Sequence, residues 1–376
     1  MIIKNATIVN HNNIIENGYI KIENQYITEI GKNYQGEGLD VSNAYILPGF
    51  IDIHVHGTNG FDVMDGTTES LKQISLNLVY EGITGYLPTT TTASDYKIKD
   101  ALYNIYDYDS TNKGAKILGI HLEGPFINPK QAGAQNKSEI KTPDITKMKL
   151  YNEISGNRIK IVTYAPELTD ENFTKYLIQN RIIASAGHSN ASMETIKSHM
   201  KAGLTNITHL HNAQSGHHHR NPGIVTAGYL YDNLNVELIV DGIHVKPEII
   251  NITSQIKNPD HILLITDALS VKNLENGTYK NKDQILIKKD KIVTLKSGIL
   301  AGSVLHFDEA LRNMKNISNY SMQDLVKISS YNQAKLLKID ERVGVIKEKY
   351  YADLVILDKQ LNIVSTVCRG TIYHNK

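Results

Sequence analysis

The residues best suited to chemistry in this sequence are histidines and carboxylates at the ends of apolar segments. The chain has 15 histidines among its 376 residues, more than structural roles usually require. The candidates that end such segments are His54, His56, Glu123, His188, His209 and Asp267. Imidazole nitrogens and carboxylate oxygens suit zinc or ferrous iron, and a catalytic site of this kind keeps an open position for water. The set therefore predicts a divalent metal centre with access for water.

The spacing of His54 and His56 supports this interpretation. Residues two apart on a β-strand point to the same side, so both imidazoles can reach one ion. A single pair of this kind often occurs by accident. Four further predicted strand ends each supply a residue of the same chemical type, so the agreement among five strands carries the prediction.

Apolar runs alternate with segments of helical periodicity through the middle of the chain. Eight runs have the composition of strands: 46–54, 83–90, 115–125, 159–166, 182–189, 206–213, 235–245 and 262–269. Between them, segments 68–81 and 193–202 indicate helices, and Gly203 follows the second where a C-terminal cap would lie. Eight such units predict a (β/α)8 TIM barrel of the α/β class, in which active-site groups lie at the carboxyl ends of the strands. A doubly wound sheet is the alternative, but its glycine-rich phosphate turn is absent.

The two ends of the chain differ from the middle. Residues 1–47 and 341–376 contain short alternating strands that are separated by polar turns. We therefore expect both ends to build one small β-sandwich domain beside a metal-dependent catalytic barrel domain of residues 48–340.

The composition excludes several classes of protein. Hydrophobic residues make up 41% of the chain and charged residues 21%, which is typical of a folded globular protein. Lys plus Arg number 40 against 39 for Asp plus Glu, so the balance of +1 indicates no nucleic-acid partner. The single cysteine, Cys368, excludes an internal disulfide and a cysteine-based zinc finger. No apolar run approaches the roughly 18 residues of a membrane span, and the N-terminus lacks the core of a signal peptide. We therefore expect no membrane partner and a cytoplasmic location.

Several motifs extend the pattern along nearly the whole chain. The sequence reads LPGFIDIHVHG at 47–57, HLEGPF at 121–126, THLHNA at 208–213, LAGS at 300–303 and ADLVILD at 352–358. On these motifs the chain resembles the amidohydrolase superfamily and, within it, the N-acetylglucosamine-6-phosphate deacetylases. The first and last motifs are widespread in the superfamily, whereas the other three are much more specific to the deacetylases.

The resemblance implies hydrolysis of the acetamide of N-acetyl-D-glucosamine 6-phosphate to D-glucosamine 6-phosphate and acetate, in amino-sugar catabolism and recycling. It implies Glu123, His188 and His209 as ligands of a principal metal ion. His54 and His56 would be ligands of a second ion. One or two divalent ions per subunit, Zn²⁺ or Fe²⁺, are therefore expected.

The resemblance also implies that Asp267 is the catalytic acid and base. A carboxylate in that position can take a proton from the attacking water and return it to the leaving amine. The rival interpretation of a metal-free binding protein with the same fold would predict the loss of some metal-type residues, and this chain keeps all of them.

The resemblance implies a phosphorylated amino-sugar substrate and a homodimer as partners, and it implies that part of the substrate site is formed across the dimer interface. The positions that match substrate contacts are Ala134, Gln135, Asn212, Ala213, Arg220 and His244. Arg220 offers a planar, bidentate donor for phosphate, and His244 offers a second donor. The sequence leaves the sugar epimer open, so a deacetylase of N-acetylgalactosamine 6-phosphate and another N-acyl amidohydrolase remain alternatives.

Some histidine positions depart from the family pattern or indicate a structural role. Gln135 stands where some members have a histidine that polarises the acetyl carbonyl, although Gln135 can still donate a hydrogen bond. His211 stands where an aromatic residue is common. The run 217–219 predicts a solvated or substrate-side loop. His121 lies two residues before Glu123 and faces the same way, so it could support the metal ligands from outside, but we favour a core histidine that is hydrogen-bonded to the backbone.

Overall fold

The chain contains parallel strands with flanking helices and a separate mixed sheet. The structure is a computed structural model that describes residues 1–108, 113–281 and 284–374. This architecture confirms the predicted α/β class. Within these ranges, no helix combines the length and the apolar character that crossing a membrane requires.

Strands from both ends of the chain lie in one mixed sheet. Its eight strands are Ile2–Val9, Ile14–Glu23, Tyr26–Lys32, Leu39–Asp40, Tyr45–Pro48, Leu354–Leu357, Ile363–Cys368 and Thr371–His374. The strand Leu354–Leu357 pairs antiparallel with Tyr45–Pro48, and this pairing joins the two ends. Side chains two apart, such as Ile20 and Ile22, point to the same side and pack in a hydrophobic core of their own. The β-sandwich and the domain bounds stay predictions.

The parallel strands form two sheets. The first contains Phe50–Val55, Ile83–Pro88 and Lys116–Ile117. The second contains Ile120–Glu123, Ile159–Tyr164, Ile183–Ala186, Asn206–Ile207, Asn235–Ile239 and Ile262–Ile265. Two isolated parallel bridges connect the sheets: Thr89, which follows the middle strand of the first sheet, pairs with His121, and Val55 in an edge strand of the first sheet pairs with Ala268. All eight predicted runs contain a parallel strand, and the carboxyl ends of these strands lie on one side.

One predicted run divides between two sheets. Residues 46–54 were expected to form a single strand, but Gly49 separates Tyr45–Pro48 in the mixed sheet from Phe50–Val55 in the parallel sheet. A Cβ atom at Gly49 would lie 2.3 Å from the side chain of Thr84. Only glycine therefore fits where the chain passes from one sheet to the other.

Helices follow most of the parallel strands. The α-helices are Thr68–Leu78, Asp95–Asp107, Ile145–Ile154, Glu171–Gln179, Met193–Ala202, Ile224–Leu230, Pro247–Ile256, Phe307–Ile317, Met322–Val326 and Asn332–Leu336. A π-helical segment, Lys327–Tyr331, joins the last two. The predicted helix 68–81 is confirmed with its last turn as the 3-10 segment Val79–Glu81. Gly203 ends Met193–Ala202 with φ of 115°, so its predicted capping role is confirmed.

A small antiparallel sheet follows the last parallel strand and was not predicted. Its strands are Gly277–Asn281, Gln284–Lys289 and Ile292–Leu295. Leu286 and Val293 from this sheet pack with Val271 and Ala301 in a third hydrophobic core. This packing sets the sheet beside the carboxyl ends of the parallel strands.

Candidate metal centre and substrate cavity

The predicted metal-type residues come together at the carboxyl ends of the parallel strands. They form two groups of three, and within each group the ligand atoms lie within 4.8 Å of one another: Glu123, His188 and His209, and then His54, His56 and Asp267. All six side chains are largely buried. The structure therefore assembles every residue that the sequence proposed for the metal centre and its acid and base.

Glu123 lies between the two groups. Its Oε1 is 3.2 Å from Nε2 of His188 and 3.1 Å from Nε2 of His209. The same oxygen is 3.5 Å from Nε2 of His54, and Oε2 is 3.4 Å from Nε2 of His56. A carboxylate in this position can contribute to both groups, as a bridging ligand must.

Asp267 is the most exposed member of the cluster, and it lines the cavity above it. Its Oδ1 lies 3.2 Å from Nε2 of His56 and 3.6 Å from Nε2 of His54. The side chain is 13% exposed, against 2% for Glu123. Asp267 can therefore contact a bound molecule while it stays beside the imidazoles.

Three of these residues have backbone conformations that amino acids with side chains rarely adopt. The φ angles are 48° at His188, 31° at His209 and 50° at Asp267. Each residue lies two positions beyond the last residue of its parallel strand. Left-handed conformations at residues other than glycine cost energy and concentrate at functional sites. Here they turn three side chains away from their strands and into one shared space.

Residues 300–303, the LAGS motif, pack against the backbone of Asp267. A Cβ atom at Gly302 would lie 2.7 Å from the backbone oxygen of Asp267 and 3.1 Å from its Oδ1, so a side chain there would collide with the site. The N–H of Ser303 donates to the backbone oxygen of Asp267 at 2.7 Å. The glycine and serine of this motif therefore hold the left-handed turn at Asp267 in place.

Outer hydrogen bonds orient the imidazoles. Nδ1 of His54 lies 3.0 Å from Oε2 of Glu237, and Nδ1 of His56 lies 3.1 Å from the backbone oxygen of Thr89. Nδ1 of His188 lies 2.8 Å from the backbone oxygen of Gln131. Since each Nδ1 donates to an oxygen, each Nε2 is left to face Glu123.

Glu237 contacts the cluster directly and was missed by the sequence reasoning. It is fully buried in the strand Asn235–Ile239. Besides the contact with His54, it accepts hydrogen bonds from the side chain of Asn206 at 2.9 Å and the backbone N–H of His209 at 3.3 Å. A glutamate inside an otherwise apolar strand was the available signal, because a buried carboxylate requires partners.

Burial and close contact shift the pKa values in the cluster in opposite directions. Burial by itself would raise the pKa of Glu123, but the imidazoles of His54 and His188 hold this pKa well below its ordinary range. Burial would also lower the pKa of His56, whereas its contacts with Asp267 and Glu123 raise it to about 9. The carboxylates therefore favour positive charge at the imidazole positions.

The donor set fits a divalent cation. Nε2 of His54 is buried and has no hydrogen-bond partner in the described structure, although it faces Glu123 and Asp267. A cation would bind this nitrogen and neutralise the carboxylates without protons on the imidazoles. Histidine nitrogens with carboxylate oxygens are ligands of Zn²⁺ and Fe²⁺.

A cavity of about 300 Å³ opens above the cluster. Predicted substrate residues that line it are Ala134, Gln135, Asn212, Ala213 and His244. The opposite wall is apolar, and its residues are Leu269, Leu286, Ile299, Leu300 and Ala301. Asn281 and Gln284 bring the unpredicted antiparallel sheet to the rim. The alternating strand pattern on either side of the polar turn 289–291 could have revealed this sheet.

His244 is held on both sides of its ring. Nδ1 lies 2.6 Å from Oδ2 of Asp241, and Nε2 lies 2.9 Å from the backbone oxygen of Ala301. Burial would lower the pKa of His244, but Asp241 raises it above the ordinary value. A protonated His244 donates to both oxygens and adds positive charge to the cavity wall.

Arg220 is the one predicted substrate residue that the structure leaves away from the cavity. It is exposed and does not appear among the described lining residues, and its guanidinium contacts Nε2 of His219 at 2.9 Å. The histidines of 217–219 are exposed in the same loop, and none belongs to the metal-type groups found among the described residues.

His121 and His211 have structural partners. His121 is fully buried, and its Nδ1 and Nε2 contact the backbone oxygen of Ile53 at 2.9 Å and Oγ1 of Thr163 at 2.7 Å. The predicted core position and backbone partner are therefore present, and the ring also lies in a third metal-type group with His54 and Glu237, whose ligand atoms are within 4.8 Å of one another. Nε2 of His211 lies 3.1 Å from the hydroxyl of Tyr229.

Comparisons with known proteins agree with this geometry. The model of the amidohydrolase family matches residues 45–373. The N-acetylglucosamine-6-phosphate deacetylase of Bacillus subtilis is 38% identical, with 99% of this chain and 96% of the relative covered. The N-acetylgalactosamine-6-phosphate deacetylase of Escherichia coli O157:H7 is 31% identical, with 87% of each chain covered. The crystal structure of the N-acetylglucosamine-6-phosphate deacetylase from Thermotoga maritima matches with a TM-score of 0.91 at 33% identity over the full length of both chains.

Proposed function

The chain belongs to the amidohydrolase family, and we propose that it hydrolyses N-acetyl-D-glucosamine 6-phosphate to D-glucosamine 6-phosphate and acetate. The observation that carries the proposal is the position of Asp267 in one of the two groups of metal-type ligands, and next to the other, at the wall of the cavity. The similarity to deacetylases over nearly the full chain supplies the substrate class.

The metal ligands follow from the two groups. Glu123, His188 and His209 would hold the principal ion, and His54 with His56 would hold a second, so we propose one or two ions of Zn²⁺ or Fe²⁺. A divalent cation held there supplies Lewis-acid activation of water and of the acetyl carbonyl. The outer contacts of the imidazoles keep their Nε2 atoms aimed at that position.

Asp267 would move the proton. As a carboxylate it accepts the proton of the attacking water, and as an acid it donates that proton to the nitrogen of the departing amine. Burial would raise the pKa of Asp267, but the charges of His54 and His56 lower it, which favours the basic form that starts the reaction.

The substrate would lie along the cavity wall. Asn212, Ala213 and His244 are proposed to line the sugar-phosphate part of the site, and Ala134 with Gln135 the acetamide side. Both ring nitrogens of His244 already have partners, so His244 would act on the phosphate through its charge, and not as the hydrogen-bond donor that the sequence suggested. The described lining residues include no lysine or arginine, and a phosphate dianion favours charged donors. We propose that Arg220 of a second subunit supplies this donor.

A homodimer is therefore part of the proposal. An exposed apolar patch supports it: Leu230, Ile249, Ile252 and Ile256. The three isoleucines lie on one helix at spacings of three and four, so they share a face. Apolar patches of this kind mark protein–protein interfaces.

The closed (β/α)8 barrel belongs to the same proposal. It is supported by the two isolated bridges, since they join the first parallel sheet to the first and to the last strand region of the second. We also keep the barrel domain of residues 48–340, the β-sandwich of 1–47 and 341–376, and a cytoplasmic location. A sugar phosphate is charged at neutral pH, so its hydrolysis is expected where the substrate is already inside the cell.

The decisive experiment measures acetate release from N-acetylglucosamine 6-phosphate. Chelator should abolish turnover, and added Zn²⁺ or Fe²⁺ should restore it. Unphosphorylated N-acetylglucosamine should be a poor substrate. Absence of turnover in protein that is shown to contain metal would contradict the proposal.

The galacto epimer is the second candidate substrate, because one deacetylase of N-acetylgalactosamine 6-phosphate is similar to most of this chain. Both phosphorylated epimers should be assayed at equal enzyme and metal concentrations. Preference for the galacto epimer would keep the chemistry and change the substrate.

A further inference from the structure

The carboxylate of Glu167 accepts hydrogen bonds from two separate segments of the chain. It lies in the 3-10 segment Pro166–Leu168, just beyond a parallel strand. Oε1 accepts from Nδ2 of Asn128 at 2.7 Å and from the backbone N–H of Asn190 at 2.5 Å. Oε2 accepts from the hydroxyl of Ser189 at 2.5 Å. The carboxylate therefore ties these two segments together.

Asn128 provides the first connection from Glu167 to His188. Oδ1 of Asn128 accepts from the N–H of Lys130 at 2.8 Å, so it caps the 3-10 turn that follows. That turn presents the backbone oxygen of Gln131 to Nδ1 of His188, at 2.8 Å. The backbone N–H of Asn128 also donates to the backbone oxygen of His188 at 2.8 Å. Asn128 therefore holds both the ring and the backbone of His188, and Glu167 fixes the amide of Asn128.

The two residues after His188 provide the second connection. The φ of 48° at His188 is costly for a residue with a side chain, so surrounding contacts must hold it. Ser189, which is fully buried, and Asn190 donate to Glu167 directly beyond this turn. The backbone N–H of Ser189 also donates to the backbone oxygen of Ala213 at 3.1 Å. The turn at His188 is therefore held between Glu167 and a residue of the cavity wall.

We propose that Glu167 is a positioning residue of the metal centre, on which it acts through Asn128 and through the turn after His188. The inference rests on the proposed metal ligands. The contacts hold Nε2 of His188 at 3.2 Å from Oε1 of Glu123. Ligands whose directions are already set require little ordering when an ion binds. Outer hydrogen bonds typically change metal affinity by about 10- to 100-fold, and we expect the lower end because Glu167 acts through intermediates.

The positions of the acceptor atoms of Glu167, rather than its charge, are what this role requires. In Glu167→Gln the amide oxygen can accept from Asn128 and Asn190 as Oε1 does. The amide nitrogen can donate to Oγ of Ser189, because a hydroxyl both donates and accepts. Glu167→Ala removes all three hydrogen bonds. The two substitutions therefore remove the same charge and differ in the hydrogen bonds that they leave.

The test measures the affinity of folded, metal-free protein for Zn²⁺ by competition with a chromophoric chelator. Glu167→Ala should bind Zn²⁺ about tenfold more weakly than the parent, whereas Glu167→Gln should stay within about threefold. All proteins are titrated at a temperature at which they are folded, so a change in stability alone does not enter the result. Glu153→Ala, which removes an exposed glutamate, is the matched control and should bind as the parent does.

Asn128→Ala tests the first connection separately. It should weaken Zn²⁺ binding by about three- to tenfold. Because Asn128 and Glu167 belong to one hydrogen-bond network, the double variant Asn128→Ala with Glu167→Ala should lose less than the product of the two single effects.

The outcomes distinguish this inference from the proposed metal centre. A parent that binds no Zn²⁺ overturns both. If the parent binds Zn²⁺, the inference alone is overturned when Glu167→Ala keeps the parent affinity, when Glu167→Gln loses as much as Glu167→Ala, or when the effects at Asn128 and Glu167 simply multiply. If Glu167→Ala does not fold, Asn128→Ala decides, and an unchanged affinity of that variant overturns the inference.

Discussion

Replacement of Asp267 by asparagine tests the proton-transfer role most directly. The φ of 50° at this position is tolerated by asparagine better than by most other residues, so the backbone should keep its turn. The backbone bonds to His54 and Ser303, at 2.8 and 2.7 Å, do not depend on the side chain. The amide oxygen can also keep the 3.2 Å contact with His56. The change in the free energy of unfolding should therefore stay within about 1 kcal/mol.

The expected kinetic effect is much larger than the structural one. An amide cannot accept the proton of the attacking water, and general acid–base catalysis contributes about 10²- to 10⁴-fold. That loss corresponds to about 2.7 to 5.5 kcal/mol of activation free energy. Glu123, His188 and His209 are unchanged, so the principal metal site should stay filled.

The assay measures three quantities on the same preparation: acetate release under saturating substrate, bound metal by mass spectrometry, and the melting temperature. Asp144→Asn is the matched control, because Asp144 is an exposed N-cap of the helix Ile145–Ile154 and asparagine caps equally well. Activity of Asp267→Asn within about tenfold of the parent, with metal retained, would show that another group moves the proton.

Three further predictions test other parts of the reasoning. Arg220→Ala should raise KM for the phosphorylated sugar by about 10- to 100-fold with little change in kcat. The control Arg342→Ala, at another exposed arginine, should leave KM unchanged. If steady-state kinetics show an unchanged KM for Arg220→Ala, the phosphate is held elsewhere. Glu237→Gln should weaken metal binding by about 10- to 100-fold, because an amide group cannot accept the hydrogen bonds of His54, Asn206 and the His209 backbone together. Metal affinity is measured by titration against a competing chelator, and an unchanged affinity would refute this role of Glu237. Burial lowers the pKa of Lys257 from 10.5 to about 8, so the unfolded chain holds this proton more tightly than the folded chain, and the free energy of unfolding should rise as pH rises from 8 to 10.5. The free energies of unfolding of the parent and of Lys257→Met, measured in urea, should therefore converge across that pH range. Free energies that change with pH in parallel in the two proteins would contradict the lowered pKa of Lys257.

The sequence predicts the site well where the fold geometry is repetitive. His54, His188 and Asp267 belong to separate strand–helix units, yet parallel strands must end on one side, so their positions at strand ends were sufficient to bring them together. The α/β class was predicted for the same reason, whereas the closure of the barrel stays a prediction. Even Gly203 could be placed, because a helix end has a local signal.

What the sequence did not predict depends on contacts between distant segments. Glu237 lies in an apolar run, and only the pairing of Asn206–Ile207 with Asn235–Ile239 brings it under His54. The antiparallel sheet of residues 277–295 lies outside the repeating units, so the barrel pattern gave no reason to expect it over the cavity. The orientation of Gln135 depends on a backbone N–H that no side-chain motif encodes.

The balance of charge inside the cluster argues for a metal enzyme over a metal-free protein of the same fold. Glu237 has three donors that satisfy a buried carboxylate. Glu123, only 2% exposed, has one amide donor from Gln135 and otherwise faces the Nε2 atoms of four imidazoles at 3.1 to 3.5 Å. Without a cation, such a carboxylate could be compensated only by protons on those imidazoles, against the cost of burying them charged. A core selected for stability alone would be expected to replace the cluster with apolar side chains, so its retention is accounted for by the ion it would bind.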